Sequence, residues 1–532
     1  MKTFKMTLLA TSIAVLAGCN SSDDNDDNKV SIAPKDEASL AWYQNSAAEV
    51  TTAESVAQAI DNAKGSAKNI ILFVGDGMGV STVTAGRILE GQQQGMTGEE
   101  NMLSFDDFPF SGLSKTYNTN QQTPDSAGTM TAMITGAKTK AGLISVGQRA
   151  KRADPAACHG HQLPTLLELA EAKGWATGIV TTTTITHATP SAAYAHSPER
   201  NWESDSDLSS AALAAGCVDI AAQLIAFEKN NPDSDGIEVI LGGGRANFLP
   251  NPKPGTRNRQ AKRNDGRNLI DEWRNAHSEG RFLTTRDELR EIDTENTEHL
   301  FGLFSTTHLN FSTDRERYGK QEPSLSEMVE TALTMLNRHK RFLLIVEAGR
   351  IDHAHHAGNA YRALEETIEM DRAIQRANAM TSDKKTLIVV TADHSHTLTM
   401  AGYPTRGNPI LGFVQSNDHH GAASHAYTLA DDKRPYTTLG YANGRGYSTD
   451  APNPKYGPFA RMMQPINAGR HAQIDDDAES PNYHQEANVP MMVETHGGDD
   501  VAIYAQGPWS HLLNGVVEQN FIFHVMKHAG RL

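Results

Sequence analysis

Short runs of β-branched and aliphatic residues recur along the chain, and three of them stop at an acid. Residues 69–75 (NIILFVG), 176–181 (ATGIVT), 237–241 (IEVIL), 341–346 (RFLLIV), 386–391 (TLIVVT) and 500–505 (DVAIYA) have the length and composition of buried parallel strands. Helix-like stretches lie between them. That alternation predicts an α/β fold: a doubly wound, mostly parallel central sheet flanked by helices. The first run leads into Asp76, the fourth into Glu347 and the fifth into Asp393 and His394. Open α/β sheets bind ligands beyond the carboxyl ends of their strands, so three strands would bring oxygen and imidazole donors to one rim. One acid after a strand is an ordinary loop residue. Three together point to a metal site.

Residues 347–356 (EAGRIDHAHH) sharpen the expectation. Asp352 and His356 are four apart and share one face if the segment is helical, so both can grip one ion. Carboxylate with imidazole suits zinc, whereas oxygen-only sets suit magnesium. Upstream, residues 123–130 (TPDSAGTM) precede a stretch of small residues and read as a helix start. The plain reading of Asp125 or Ser126 is a helix cap. The functional one is a nucleophilic serine at a helix N-terminus, where backbone N–H groups favour an anion. No Gly-x-Ser-x-Gly elbow surrounds Ser126, which argues against an α/β-hydrolase esterase.

Five blocks in this order, 74–79 (VGDGMG), 124–129 (PDSAGT), 347–356, 391–396 (TADHSH) and 494–502 (ETHGGDDVA), resemble the alkaline phosphatase family, from about residue 69 to the end of the chain. The resemblance implies a phosphate-monoester hydrolase with broad substrates, working through a phosphoserine on Ser126 and releasing inorganic phosphate. It implies two zinc ions, one on Asp352, His356 and His496, the other on Asp76, Asp393 and His394. It also implies one magnesium on Asp76, Thr189 and Glu347, with Arg200 clamping the phosphate through its planar fork. His187 stands where some members carry a carboxylate and would reach magnesium through water. His353 would tune phosphate binding from behind the ligands. Two alternatives remain: a phosphodiesterase or sulfatase of the same superfamily, and a non-catalytic, metal-binding surface lipoprotein. The superfamily relatives use a threonine or modified cysteine nucleophile and lack the full magnesium set.

The start of the chain concerns address rather than chemistry. Lys2 and Lys5 precede an apolar run, 6–17, which ends in LAGC at 16–19. This pattern reads as a secretory signal too short to span a bilayer of roughly 30 Å. The LAGC segment resembles a bacterial lipobox. The expected plan is therefore a signal peptide at 1–18, an acidic tether at 19–40 and the enzyme domain at 41–532. The protein would be exported across the inner membrane and held in the cell envelope, at the outer membrane or in the periplasm, by a lipid on Cys19. Setting Cys19 aside leaves Cys158 and Cys217, either bridged or as two buried thiols. They match a disulfide of animal-type family members, which favours the bridge.

About a hundred residues between His396 and His496 are rich in Gly, Pro, Asn and Tyr. A structureless loop of that length is foreign to a compact domain, so 400–490 should fold as an inserted subdomain. By resemblance it is a crown-like region that contributes to a homodimer interface. His419, His420 and His425 within it are read as having no ligand role. The formal charge is −16, with 48 basic against 64 acidic side chains, which argues against nucleic acid as a specific partner. The basic stretch 253–267 carries Arg257, Arg259, Lys262 and Arg263 but no aromatics, with Asp265 close by, and reads as a solvated loop.

Overall fold

Residues Asn69–Gly75 form β1, an aliphatic strand buried in all but its first residue. The computed structural model describes residues 65–447 and 477–532, with scattered positions from 39 to 50, all within one compact unit, 33–532. The signal segment and most of the tether lie outside the described residues, as do 448–476 of the insertion.

After β1 come α1 (Val80–Gln93), β2 (Phe110–Lys115), α2 (Ser126–Thr135), β3 (Ala176–Thr184) and β4 (Val239–Gly243). Then follow β5 (Arg281–Leu283), β6 (Leu300–Leu303), α3 (Leu325–Leu336), β7 (Phe342–Glu347), α4 (Arg350–His356) and α5 (Ala360–Met380). The chain continues through β8 (Thr386–Ala392), β9 (Ser395–His396), β10 (Leu398–Met400), β11 (Leu439–Gly444) and β12 (Ala487–Pro490). It ends with β13 (His496–Gly497), β14 (Val501–Gln506), β15 (Gly515–Glu518) and α6 (Phe521–Gly530).

Ten strands make one sheet in the order β15-β2-β14-β8-β1-β7-β3-β4-β6-β5. Its middle is parallel: β1 lies between β7 and β8, and β3 joins β7 to β4. Ile71 and Phe73 of β1 pack in one cluster with Met328 and Leu333 of α3 and Met370 and Ile374 of α5. Alternation sends the equally buried Ile70 and Leu72 to the opposite face, where α6 meets β1. Helices thus cover both faces, as the hydrophobic runs require. The architecture is the doubly wound, mostly parallel α/β sheet.

One strand departs from expectation. The run at 500–505 is antiparallel to both neighbours, β2 and β8. Buried Val501, Ile503 and Ala505 alternate along it with half-buried Ala502, Tyr504 and Gln506. This is the alternation of a strand with only one face against the core.

The described parts of 400–490 include a small sheet, β10-β11-β12. Leu398, Leu439 and Tyr441 of that sheet pack on Ile88 and Leu89 of α1 and Leu364 and Ile368 of α5. Cys158 and Cys217 form a disulfide, their Cα atoms 5.6 Å apart. No helix among the described residues is long and apolar enough to cross a membrane.

Candidate active site

Strands β1, β7 and β8 are adjacent, and each is followed by, or ends in, an acid at the same rim. Asp76 follows β1, Glu347 closes β7 and Asp393 follows β8. The turn after β1 is tight: Gly77 has φ +70°, and a Cβ there would lie 2.3 Å from the His396 ring. Only glycine satisfies both demands. Its N–H donates to Asp393 Oδ1 at 2.9 Å, and the His394 N–H donates to the same oxygen at 2.8 Å. His394 Nε2 then lies 3.4 Å from Asp76 Oδ1 and 3.2 Å from Asp393 Oδ2. All three side chains are fully buried.

The second group rides on α4. Its helical spacing brings His356 Nε2 to 3.3 Å from Asp352 Oδ1. His496 arrives from β13, its Nε2 3.3 Å from the same oxygen and 3.1 Å from His356 Nε2. Backbone carbonyls occupy the other ring nitrogens: His356 Nδ1 donates to Glu494 O at 2.6 Å and His496 Nδ1 to Pro124 O at 2.8 Å. Both lone pairs therefore sit on Nε2 and point at Asp352, the tautomer of a metal-binding histidine. A third group joins Asp76 and Glu347 to His187. Thr181 and Thr183 hydroxyls donate to Glu347 Oε2. Glu347 Oε1, His187 Nδ1 and Thr189 Oγ1 are buried without a hydrogen-bond partner, the first two 3.9 Å apart. Buried polar atoms seldom stay unpaired, and Glu347 and His187 share their group with Asp76, a donor set that could hold a cation.

Ser126 opens α2, capped by Asp125, which accepts from Gly128 N at 3.1 Å. Its Oγ lies 3.3 Å from Asp76 Oδ1 and 3.2 Å from His394 Nε2. Arg200 reaches in from the opposite side. Its Nη1 donates to Asp125 at 3.1 Å, and its Nη2 is 3.3 Å from His187 Nε2.

The alkaline phosphatase family description matches residues 67–532. The chain is 45% identical to an alkaline phosphatase of Gadus morhua over 88% of this chain and 92% of that one. It is 44% identical to the tissue-nonspecific isozyme of Homo sapiens, over 87% and 83%. The alkaline phosphatase of Thermus thermophilus superposes with TM-score 0.60 at 25% identity, covering 88% and 92%. The chain belongs to the alkaline phosphatase family.

In this family member the electrostatics fit the geometry. Burial, then the carboxylates of Asp393, Asp352 and Glu347, push the Asp76 carboxyl well above its usual range. Such packed anions favour a nearby positive charge. Burial, then His496, holds His394 well below the ordinary histidine range, so its imidazole is neutral and able to ligate.

Of the residues expected from the sequence, Asp76, His187, Glu347, Asp352, His356, Asp393, His394 and His496 fall in the three donor groups, and Ser126 and Arg200 adjoin them. His353 sits on α4, buried, with Arg350 Nη1 2.7 Å from its Nδ1 and its ring 5.6 Å from that of His187. The sequence reading assigned no place to His396, Glu494, Thr181 or Thr183. His396 Nε2 is 2.7 Å from Asp352 Oδ1, and its Nδ1 is 2.5 Å from buried Glu494. Burial works against the charge of His396, but Glu494 and Asp352 overcome it and push its pKa up to about 10. The signal was the second histidine of the 391–396 block; its meaning depends on β9 pairing with β13, a hundred residues away. His355 turns from the site to Thr82 and Tyr441, at 3.0 and 2.9 Å.

Proposed function

We propose that this chain hydrolyses phosphate monoesters through a phosphoserine on Ser126, assisted by two zinc ions and one magnesium. One observation carries the reading: a buried serine hydroxyl at a helix N-terminus lies within 3.4 Å of Asp76 and His394, both members of ligand clusters. The donor sets fit the ions. Asp352, His356 and His496 would hold one zinc, and Asp76, Asp393 and His394 the other, through carboxylates and neutral imidazoles. Asp76, Thr189 and Glu347 would hold magnesium through oxygens, with His187 behind them. When bound, such ions stabilise charge at both ends of an in-line displacement and lower the pKa of a coordinated hydroxyl.

The chain's own groups supply the rest. Arg200, steadied by Asp125, offers paired N–H donors to two phosphoryl oxygens. The free N–H groups at the start of α2 favour the same anion. In the first step the Ser126 Oγ–P bond forms as the ester P–O bond breaks, and the alcohol leaves with a proton. In the second, water attacks phosphorus, the Oγ–P bond breaks, inorganic phosphate departs and Ser126 regains its proton. His353, behind Arg350 and His187, would tune phosphate binding without touching it. Little in this scheme recognises the alcohol, which supports broad monoester specificity.

The remaining proposals concern setting. Residues 1–18 would direct export, and Cys19 would carry the lipid that anchors the protein in the envelope. The Cys158–Cys217 disulfide suits an oxidising compartment. A homodimer through the insertion is supported by exposed apolar residues there, Tyr403, Leu429 and Val489.

Rates on a nitrophenyl monoester, the matching diester and the sulfate test the reading. The monoester is expected to be fastest, and a faster diester overturns the assignment. Ser126→Ala should cut monoester turnover by roughly 10³-fold or more and abolish phosphate incorporation into the protein.

A further inference from the structure

A cavity of about 1060 Å³ lies beside the site, between the loop 255–264 and the segment 305–310. Its volume matches a small-molecule pocket. His308 lines it and links it to the phosphate clamp: the His308 ring is 4.4 Å from that of His353 and 5.6 Å from that of His187. The basic stretch read from sequence as a solvated loop forms one wall. Of that stretch, Arg263 is fully buried against Asp219 and Asp265, whereas Arg257, Arg259 and Lys262 line the cavity.

The lining is cationic in a chain of net charge −16. Arg257, Arg259, Lys262, Lys320 and Arg350 face two acids, Asp207 and Glu322. Both acids already have donors. Glu322 accepts from Asn310 N and Nδ2, each at 2.7 Å. Asp207 accepts from Ser204 N at 2.9 Å and Ser204 Oγ at 3.1 Å. No ion pair joins Arg257, Lys262 or Lys320 to a carboxylate among the described residues.

Arg350 is the decisive group. It is 5% exposed, and its guanidinium lies 3.9 Å from the centre of the Phe311 ring. Its Nη1 meets the imidazole of His353, and its Nε has no partner. Glu366, Glu322 and Asp314 act on this buried charge only from beyond ion-pair distance, so its open Nε leaves room for a closer anion.

We propose that this cavity is an anion subsite that takes the distal phosphoryl groups of substrates carrying two or more phosphates. The assignment rests on the phosphomonoesterase reading of Ser126. Arginine forks suit such groups, and an exposed rim with a buried guanidinium behind it suits an extended polyanion. The subsite confers a preference that the clamp at Arg200, which sees one phosphate, does not supply.

The test uses the holoenzyme and Arg257→Glu with Lys320→Glu, two exposed positions, with melting temperature as the folding control. Tripolyphosphate and nitrophenyl phosphate serve as substrates. The double variant should raise KM for tripolyphosphate at least roughly 10-fold more than KM for nitrophenyl phosphate, the scale of one lost charged contact. Equal shifts, or none, overturn the proposal. Equilibrium titration with methylenebisphosphonate reads the cavity without turnover: the parent should bind it more tightly than inorganic phosphate, and the variant should lose that advantage. A parent that binds both alike overturns the subsite. A parent that binds the bisphosphonate but hydrolyses no monoester sinks the phosphatase reading instead, so the two failures are distinct.

Discussion

Buried carboxylates gather at both ends of one sheet, and they are neutralised in different ways. At the carboxyl ends of the strands, Asp76 and Asp393 stand with the neutral imidazole of His394, and Glu347 Oε1 accepts no hydrogen bond. At the other end, Glu171 and Glu238 flank Thr177 near the start of β3. Glu171 accepts from the Thr177 hydroxyl and the Ser234 hydroxyl, each at 2.5 Å, and Glu238 accepts from Thr177 N at 2.6 Å. No imidazole joins them in a metal-binding group among the described residues. Burial pushes Glu171 up to about 7; burial and Glu171 push Glu238 up to about 9. Burial pushes acids up at both ends; the rim acids sit among imidazole donors, the far pair among hydroxyl and amide donors. Burial of acids alone does not mark a metal site; carboxylates and imidazoles from several elements converging on one point do.

The comparison breaks most easily at the rim. Asp393→Asn removes a carboxylate beside His394, and kcat/KM for a monoester should fall by roughly 10²–10³-fold, with bound metal lost in parallel. The isosteric change at the far end, Glu238→Gln, should leave kcat/KM within about twofold, because no chemistry reaches it. Equal losses from both would mean the rim owes its activity to folding rather than to its donors.

A finer test concerns the ring behind the ligands. His396 holds Asp352 from one side and is itself held by Glu494. His396→Ala should weaken metal retention by roughly 10–100-fold, measured by competition with a chelator, while the fold survives. Unchanged retention would make His396 a packing residue only.

How far the sequence could carry these distinctions depends on the range of each contact. β1, β7 and β8 were legible because a strand buried on both faces is written as a continuous aliphatic run. β2 (FSGLSK) and β15 (GVVE) were not, because β15 is the sheet's edge and β2 lies next to it, and both leave most of their residues exposed or half-buried, with Gly and Ser breaking any aliphatic run. The direction of β14 was hidden for a related reason: strand pairing is set by its neighbours, not by its own residues. In the site, Asp352 and His356 could be paired by helical spacing alone. His396 and His496 could not, since a two-residue bridge brings them together. Thr181 closed a run that looked like strand and nothing more, and Thr183 lay just beyond it, yet their hydroxyls fix one oxygen of Glu347 and leave the other open.

The smallest effect is expected at the proton-holding end, and its sign is diagnostic. The folded-state pKa of Glu238, about 9, lies above the ordinary value of 4.5. The folded chain therefore keeps a proton that the unfolded chain has lost, and stability falls as pH rises between about 4.5 and 9. Glu171, at about 7, acts in the same direction over a narrower window. Glu238→Gln keeps an acceptor for Thr177 N but cannot ionise, so the penalty for deprotonating this site disappears. Melting temperatures at pH 6 and pH 9 should then differ less in the variant, by about 2 °C, corresponding to on the order of 1–2 kcal/mol. At the rim a bound cation would outweigh the same upward push on Asp393 and keep its carboxylate charged, so Asp393→Asn should give no comparable relief at pH 9. A Glu238→Gln protein that melts with the parent's pH dependence would mean that Glu238 is ionised in the folded state, and the contrast between the two ends would be lost.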